Sequence, residues 1–64
     1  MTLRELRKEK KITQQEFAKI VGKRNTTVSM WEAGKSNPSL KDIPLIASVL
    51  GVSVEEIVNC FKRQ

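Results

Sequence analysis

Between positions 23 and 35 the chain reads KRNTTVSMWEAGK. Taken as a helix, this stretch has two unlike sides. Thr26, Ser29, Met30 and Ala33 follow one another at i, i+3, i+4 and i+7, so they share one side, with Val28, Trp31 and Glu32 on the other. The first side holds hydroxyls, a thioether and a methyl group, but no long charged side chain. In a chain that is 30% charged, a solvent-facing helix is expected to carry Lys or Glu there. Short donors, acceptors and apolar tips suit close approach to a surface that is itself polar and methyl-bearing. The major groove of double-stranded DNA is such a surface: it presents donors, acceptors and thymine methyls, and it admits one α-helix. Lys23 and Arg24 at the near end, with Lys35 at the far end, would then meet phosphates.

The charge balance points the same way. A net charge of +5 and a pI of about 9.8 suit an anionic partner. Residues 1–35 hold nine Lys/Arg against four Glu, whereas residues 36–64 hold three of each sign, so the whole excess lies in the first half. Catalysis finds little support. There is no His, no Tyr, no phosphate-cradling glycine loop and no nucleophile beside a base. One thiol, Cys60, cannot complete a tetrahedral zinc site without His, so neither metal nor cofactor is expected. A single Cys also excludes an internal disulfide and fits a reducing cytoplasm. The charged N-terminus lacks the apolar stretch of a signal peptide. The longest apolar run, Ile43 to Leu50, is interrupted by Pro44 and Ser48, so no membrane span is expected.

The elements that must position these residues are short helices. Sixty-four residues make one domain, 1–64, small enough that folding buries only about 60% of the unfolded chain's surface. Four capping-box patterns divide it: Thr2-x-x-Glu5, Thr13-x-x-Glu16, Ser39-x-x-Asp42 and Ser53-x-x-Glu56. Gly22, Gly34 and Gly51 each follow an apolar-periodic segment, where a helix stop is expected. The pattern predicts an all-α fold of five helices, at about 2–9, 13–21, 25–33, 40–50 and 53–62. Pro44 would sit five residues into the fourth helix and kink or tighten its first turn. The predicted core comprises Leu3, Leu6, Ile12, Phe17, Ala18, Val21, Val28, Trp31, Leu40, Ile43, Ile46, Ala47, Leu50, Val54, Ile57, Val58 and Phe61. Trp31, three residues from Val28, reads as core, with a stacking platform for a base as the alternative. Thr13 to Gly34 then reads as helix, tight turn and helix, with Gly22 in the turn.

One segment departs from this regularity. The helix at 25–33 opens on Lys23, Arg24 and Asn25, with no hydroxyl-and-acid start signal. An acid there would repel phosphate, so a basic entry is the better choice beside DNA. Local rules that fail in one place commonly mark a functional site.

LRELRKEKKITQQEFAKIVG, followed by TTVSMWEAGKSNPSLKDIPLIASVLGVSVEEI, resembles the phage-repressor and Cro-like helix-turn-helix family, often called XRE-type. The resemblance runs from about residue 3 to 58. Its most specific elements are Thr13-Gln14, Ala18, Gly22 and the stretch WEAGKSNPS. It implies a compact five-helix DNA-binding domain in which Gln14 sets its side chain on a phosphate and braces the recognition helix. It places Asn25, Thr26 and Met30 at base edges and Thr27 and Lys35 on the backbone, with Ser29 suited to either. Arg7 and Glu32 match a partly buried ion pair between the first and third helices. Two positions depart from the family pattern. Arg24 stands where a small hydroxyl residue usually caps the recognition helix, so the helix would begin one residue later with Asn25 as cap. In that case Asn25 supports structure and does not read adenine. Met30 replaces a polar or basic residue and offers only apolar contact to thymine methyls.

The resemblance also implies a transcriptional regulator of repressor type, a homodimer with one recognition helix per half-site, the half-sites lying about one turn (~34 Å) apart. The fourth and fifth helices or the C-terminal tail would form the dimer, with Leu45, Cys60 and Phe61 as candidates. No small-molecule effector domain is evident. The competing reading is a protein-interaction adaptor, or antitoxin-like partner, anchored by Ile20 and Leu45.

Overall fold

Thr2 and Thr13 start their helices in the same way. The Glu5 amide donates to the Thr2 hydroxyl at 3.2 Å while the Thr2 amide donates to the Glu5 carboxylate at 2.8 Å. Thr13 and Glu16 repeat the exchange at 3.0 and 2.8 Å. Each box satisfies two amides that the first turn would otherwise leave unpaired. The computed structural model describes residues 1–62, and the helices are α1 (Leu3–Glu9), α2 (Gln14–Ile20), α3 (Asn25–Ala33), α4 (Ile43–Leu50) and α5 (Val54–Phe61). The fold is all-α, with no strand among the described residues. At Ser53 only the hydroxyl half of the box forms, accepting the Glu56 amide at 3.1 Å.

The fourth start differs from its prediction. Ser39 does not cap a helix; its amide and hydroxyl both donate to the Asp42 carboxylate, at 3.3 and 2.9 Å, and the Asp42 amide closes a turn onto the Ser39 carbonyl at 2.9 Å. α4 begins only at Ile43, three residues late. Pro44 explains the delay. In a helix begun at residue 40 its ring would meet the Leu40 carbonyl, whereas in the first turn its missing N–H is no loss. Pro44 is thus the second residue of α4, within its first turn, and kinks no helix interior. Leu40, expected in the core, is 89% exposed as a result.

Gly22 and Gly34 end α2 and α3 with the same double bond pattern. The Gly22 amide reaches the Lys19 carbonyl at 3.3 Å and the Lys23 amide reaches Ala18 at 2.8 Å. At the second stop, Gly34 reaches Trp31 at 3.2 Å and Lys35 reaches Met30 at 2.9 Å. Both glycines have positive φ, 73° and 78°, a conformation that costs any residue with a Cβ. α1 stops without a glycine, on Lys11 at φ 59°.

α2 packs on α3, α5 on α4, and α1 closes over α3. Phe17, Val28, Ile46 and Ile57 are wholly enclosed, and Trp31 lies in the same core. Ile12 packs against it from the α1–α2 connection. Val54 and Val58, also expected inside, are nearly half exposed. They lie on one row of α5, and this short helix buries the adjacent row, Ile57 and Phe61. No single helix among the described residues is long and apolar enough to cross a membrane.

Candidate nucleic-acid interface

α3 divides as its spacing dictates. Val28 and Trp31 are buried, and the Glu32 side chain is almost wholly so. Across the cylinder, Thr26, Ser29, Met30 and Ala33 are all exposed, Met30 by 44%. The result is an outward face of hydroxyl, thioether and methyl groups without a charge. Trp31 is only 3% exposed, so it holds α3 to the core and cannot stack on a base.

Asn25, expected as the cap of α3, does not cap it. Arg24 is the N-cap residue, extended at φ −81° and ψ 153°, and no side chain bonds the first-turn amides. Asn25 is already the first helical residue, exposed and outside any capping bond. The helix could not begin later because Val28 already donates to the Arg24 carbonyl at 3.2 Å. α3 therefore presents unpaired amides, the positive end of its dipole and the Arg24 side chain on one side. Lys35 is exposed at its far end, beyond Gly34, and Thr27 is half-buried at its flank.

Behind this face sits a braced ion pair. Arg7 donates from Nε to Glu32 Oε2 at 2.7 Å and from Nη2 to Oε1 at 3.2 Å, and from Nη1 to the Ile12 carbonyl at 2.9 Å. Gln14 Nε2 donates to Glu32 Oε1 at 3.2 Å. Both charged side chains are more than nine-tenths buried. Burial costs each ion its hydration, and a two-pronged contact with the remaining donors filled is what offsets that cost. The network ties α1, the α1–α2 connection and the start of α2 to one residue of α3. It sets the angle at which the outer face is held.

Lys23 is less free than its place in the sequence suggests. Its ammonium lies 3.4 Å from the Asp42 carboxylate, which also accepts from Ser39. Partial burial works to raise the Asp42 pKa, but the Ser39 hydrogen bonds and the Lys23 charge together outweigh it and hold the group below its ordinary value. Among the described residues Arg24 and Lys35 have no ion-pair partner, whereas Lys23 shares its charge with Asp42.

One residue that sequence reasoning missed belongs here. A shallow hollow between α1, α2 and α3 is lined by Arg4, Arg7, Gln14, Ser29, Glu32 and Ala33. Arg4 stands on its rim, beside two residues of the outward face. The available signal was a cation in the first turn of α1, where the helix dipole disfavours one. Away from this side, Ile20 and Leu45 are about half exposed. Phe61 is buried, and the Cys60 thiol donates to the Met1 carbonyl at 3.3 Å, with burial pushing its pKa up.

The comparisons with known proteins decide the family. A family model described as helix-turn-helix matches residues 3–57. The chain belongs to the helix-turn-helix family, of the XRE type. Two uncharacterized HTH-type transcriptional regulators of Archaeoglobus fulgidus are similar to it. One is 44% identical over 55 residues, spanning 86% of this chain and 78% of the relative. The other is 42% identical over 55 residues, spanning 86% and 79%. The HTH-type transcriptional activator BcrR of Enterococcus faecalis is 30% identical over 57 residues, 89% of this chain but only 28% of BcrR. No solved structure matches. Membership places the chain among helix-turn-helix transcriptional regulators and implies DNA binding.

Proposed function

We propose that this helix-turn-helix protein binds double-stranded DNA sequence-specifically by laying α3 in the major groove, as a cytoplasmic, repressor-like transcriptional regulator on a two-fold symmetric operator. The observation that carries the reading is the uncharged outward face of α3, set between Arg24 and Lys35 and held by the Arg7–Glu32–Gln14 brace. Asn25, Thr26, Ser29 and Met30 are the base-reading side chains. Gln14, Lys23, Arg24, Thr27 and Lys35 hold the sugar-phosphate backbone, Lys23 by exchanging its Asp42 contact for a phosphate.

A homodimer suits such an operator. Half-sites of a symmetric operator lie ~34 Å apart, more than the 23 Å breadth of one chain. An apolar hollow lined by Pro38, Leu40, Ile43, Val58 and Phe61 offers the contact surface. Leu40 projects from the wall of this hollow, 89% exposed, so the patch is apolar and can meet its own copy across a two-fold axis. Arg63 and Gln64, of the C-terminal tail, lie outside the described residues. Repression is the sense of control implied by the resemblance to phage repressors; BcrR is named an activator. A promoter fusion reads that sign directly.

Selection of bound duplexes from a random pool tests the reading. Two inverted half-sites centred about 10 base pairs apart are expected. A selected sequence without symmetry would remove the two-fold operator, and no enrichment at all would remove sequence-specific binding. The adaptor reading, anchored on Ile20 and Leu45, predicts a different salt response. DNA affinity falls steeply with salt as counterions are released, whereas an apolar protein contact barely changes.

A further inference from the structure

Arg4 is out of place as a helix residue. It occupies the second position of α1, where the positive end of the dipole opposes a cation. Glu5, the acid of that turn, is committed to Thr2. Arg4 is exposed and, among the described residues, takes part in no hydrogen bond or ion pair. Nothing in the fold accounts for it.

The hollow beside α3 does. Arg7 and Glu32 neutralise each other at its floor, so Arg4 supplies its one uncompensated charge. The Gln14 amide gives one N–H to Glu32 and retains a second. Ser29, exposed on α3, lines the same hollow with its hydroxyl-bearing side chain. A guanidinium, an amide N–H and a hydroxyl around an open concavity form a donor set for a tetrahedral oxyanion. We propose that Arg4 is the cation for the backbone phosphate already assigned to Gln14, seated in this hollow with Ser29 as a further hydrogen-bond donor. The proposal rests on the DNA reading above and adds α1 to the interface. It also gives Ser29 a backbone partner, so the reading of bases falls to Asn25, Thr26 and Met30.

Titration of the full chain against its selected duplex and a random one, at about 50 to 200 mM salt, tests the seat. Arg4→Ala is expected to weaken both complexes about tenfold and to reduce the salt slope by about one. Lys8→Ala removes the same charge from the same helix, but Lys8 lies in a separate depression with Met1, Glu5 and Glu9. It is expected to weaken binding less than about twofold, a loss from the screened general field alone. A duplex carrying one neutral methylphosphonate at the seated position should bind the unaltered chain less tightly and leave the R4A chain indifferent. Equal effects of R4A and K8A would overturn the seat while leaving DNA binding intact. Failure of the unaltered chain to bind any duplex would instead overturn the DNA reading.

Discussion

α2 and α3 belong to one helix-turn-helix, yet they begin in opposite ways. α2 opens on Thr13 and Glu16, with hydroxyl and carboxylate each holding an amide. α3 opens on Arg24, which caps nothing. The first start is settled within the chain, whereas the second leaves amides and a guanidinium for another molecule. The same physics governs both, since an anion is welcome at a helix N-terminus. In α2 the anion is Glu16. At α3 the proposed anion is a phosphate, and an internal acid there would exclude it. Stability and binding thus compete for the same few atoms, and α3 is held by its inner face instead.

That last statement can be broken at Glu32. If the Arg7–Glu32–Gln14 brace compensates for the weak start of α3, Glu32→Ala leaves a buried guanidinium unpaired. A loss of about 3 kcal/mol is expected, read as a lower denaturant midpoint at unchanged slope. An unaltered midpoint would show that α3 needs no such support. The next test sharpens the contrast between the two starts. Thr13→Ala should destabilise the fold by about 1 kcal/mol, whereas Arg24→Ser, which installs the missing hydroxyl, should stabilise it by about 0.5–1 kcal/mol. The same Arg24→Ser chain should bind all duplexes more weakly, with a salt slope lower by about one. A chain gaining both stability and affinity would refute the competition between them.

The contrast also shows what could be read from residues alone. Starts at Thr2, Thr13 and Ser53 and stops at Gly22, Gly34 and Gly51 were legible because their bonds span three to five residues. The start of α4 was not, because two local signals conflict there and the steric demand of Pro44 overrides the Ser39–Asp42 pattern. The stop at Lys11 gave no signal, since a lysine with positive φ looks like any other lysine. Leu40, Val54 and Val58 matched the apolar stripes, but which stripe is covered depends on how the helices pack. In the candidate interface, the outer face of α3 followed from spacing. Arg4 did not, because the hollow that gives it a purpose is assembled from three helices. The tie between Lys23 and Asp42 was hidden for the same reason, across nineteen residues of sequence.

That tie allows the smallest test of the comparison, because α4 begins in a third way. Asp42 faces Ser39 and Lys23, so an acid from α4's start holds a cation on the approach to α3. Its pKa lies below the ordinary value in the folded chain, so the folded state favours the charged form. The resulting stabilisation is complete above the ordinary carboxylate pKa of about 3.9 and is lost as pH falls through the folded value. The melting-temperature gap between the unaltered chain and Asp42→Asn should therefore be widest near neutral pH and close in acid. The pair is partly exposed, so the gap should be small and should narrow further in about 1 M salt, where charges are screened beyond ~3 Å. A gap that persists unchanged below about pH 3 would mean that Asp42 acts through shape and not charge. In that case Lys23 would be as available to DNA as Arg24, and the approach to α3 would be open along its whole length.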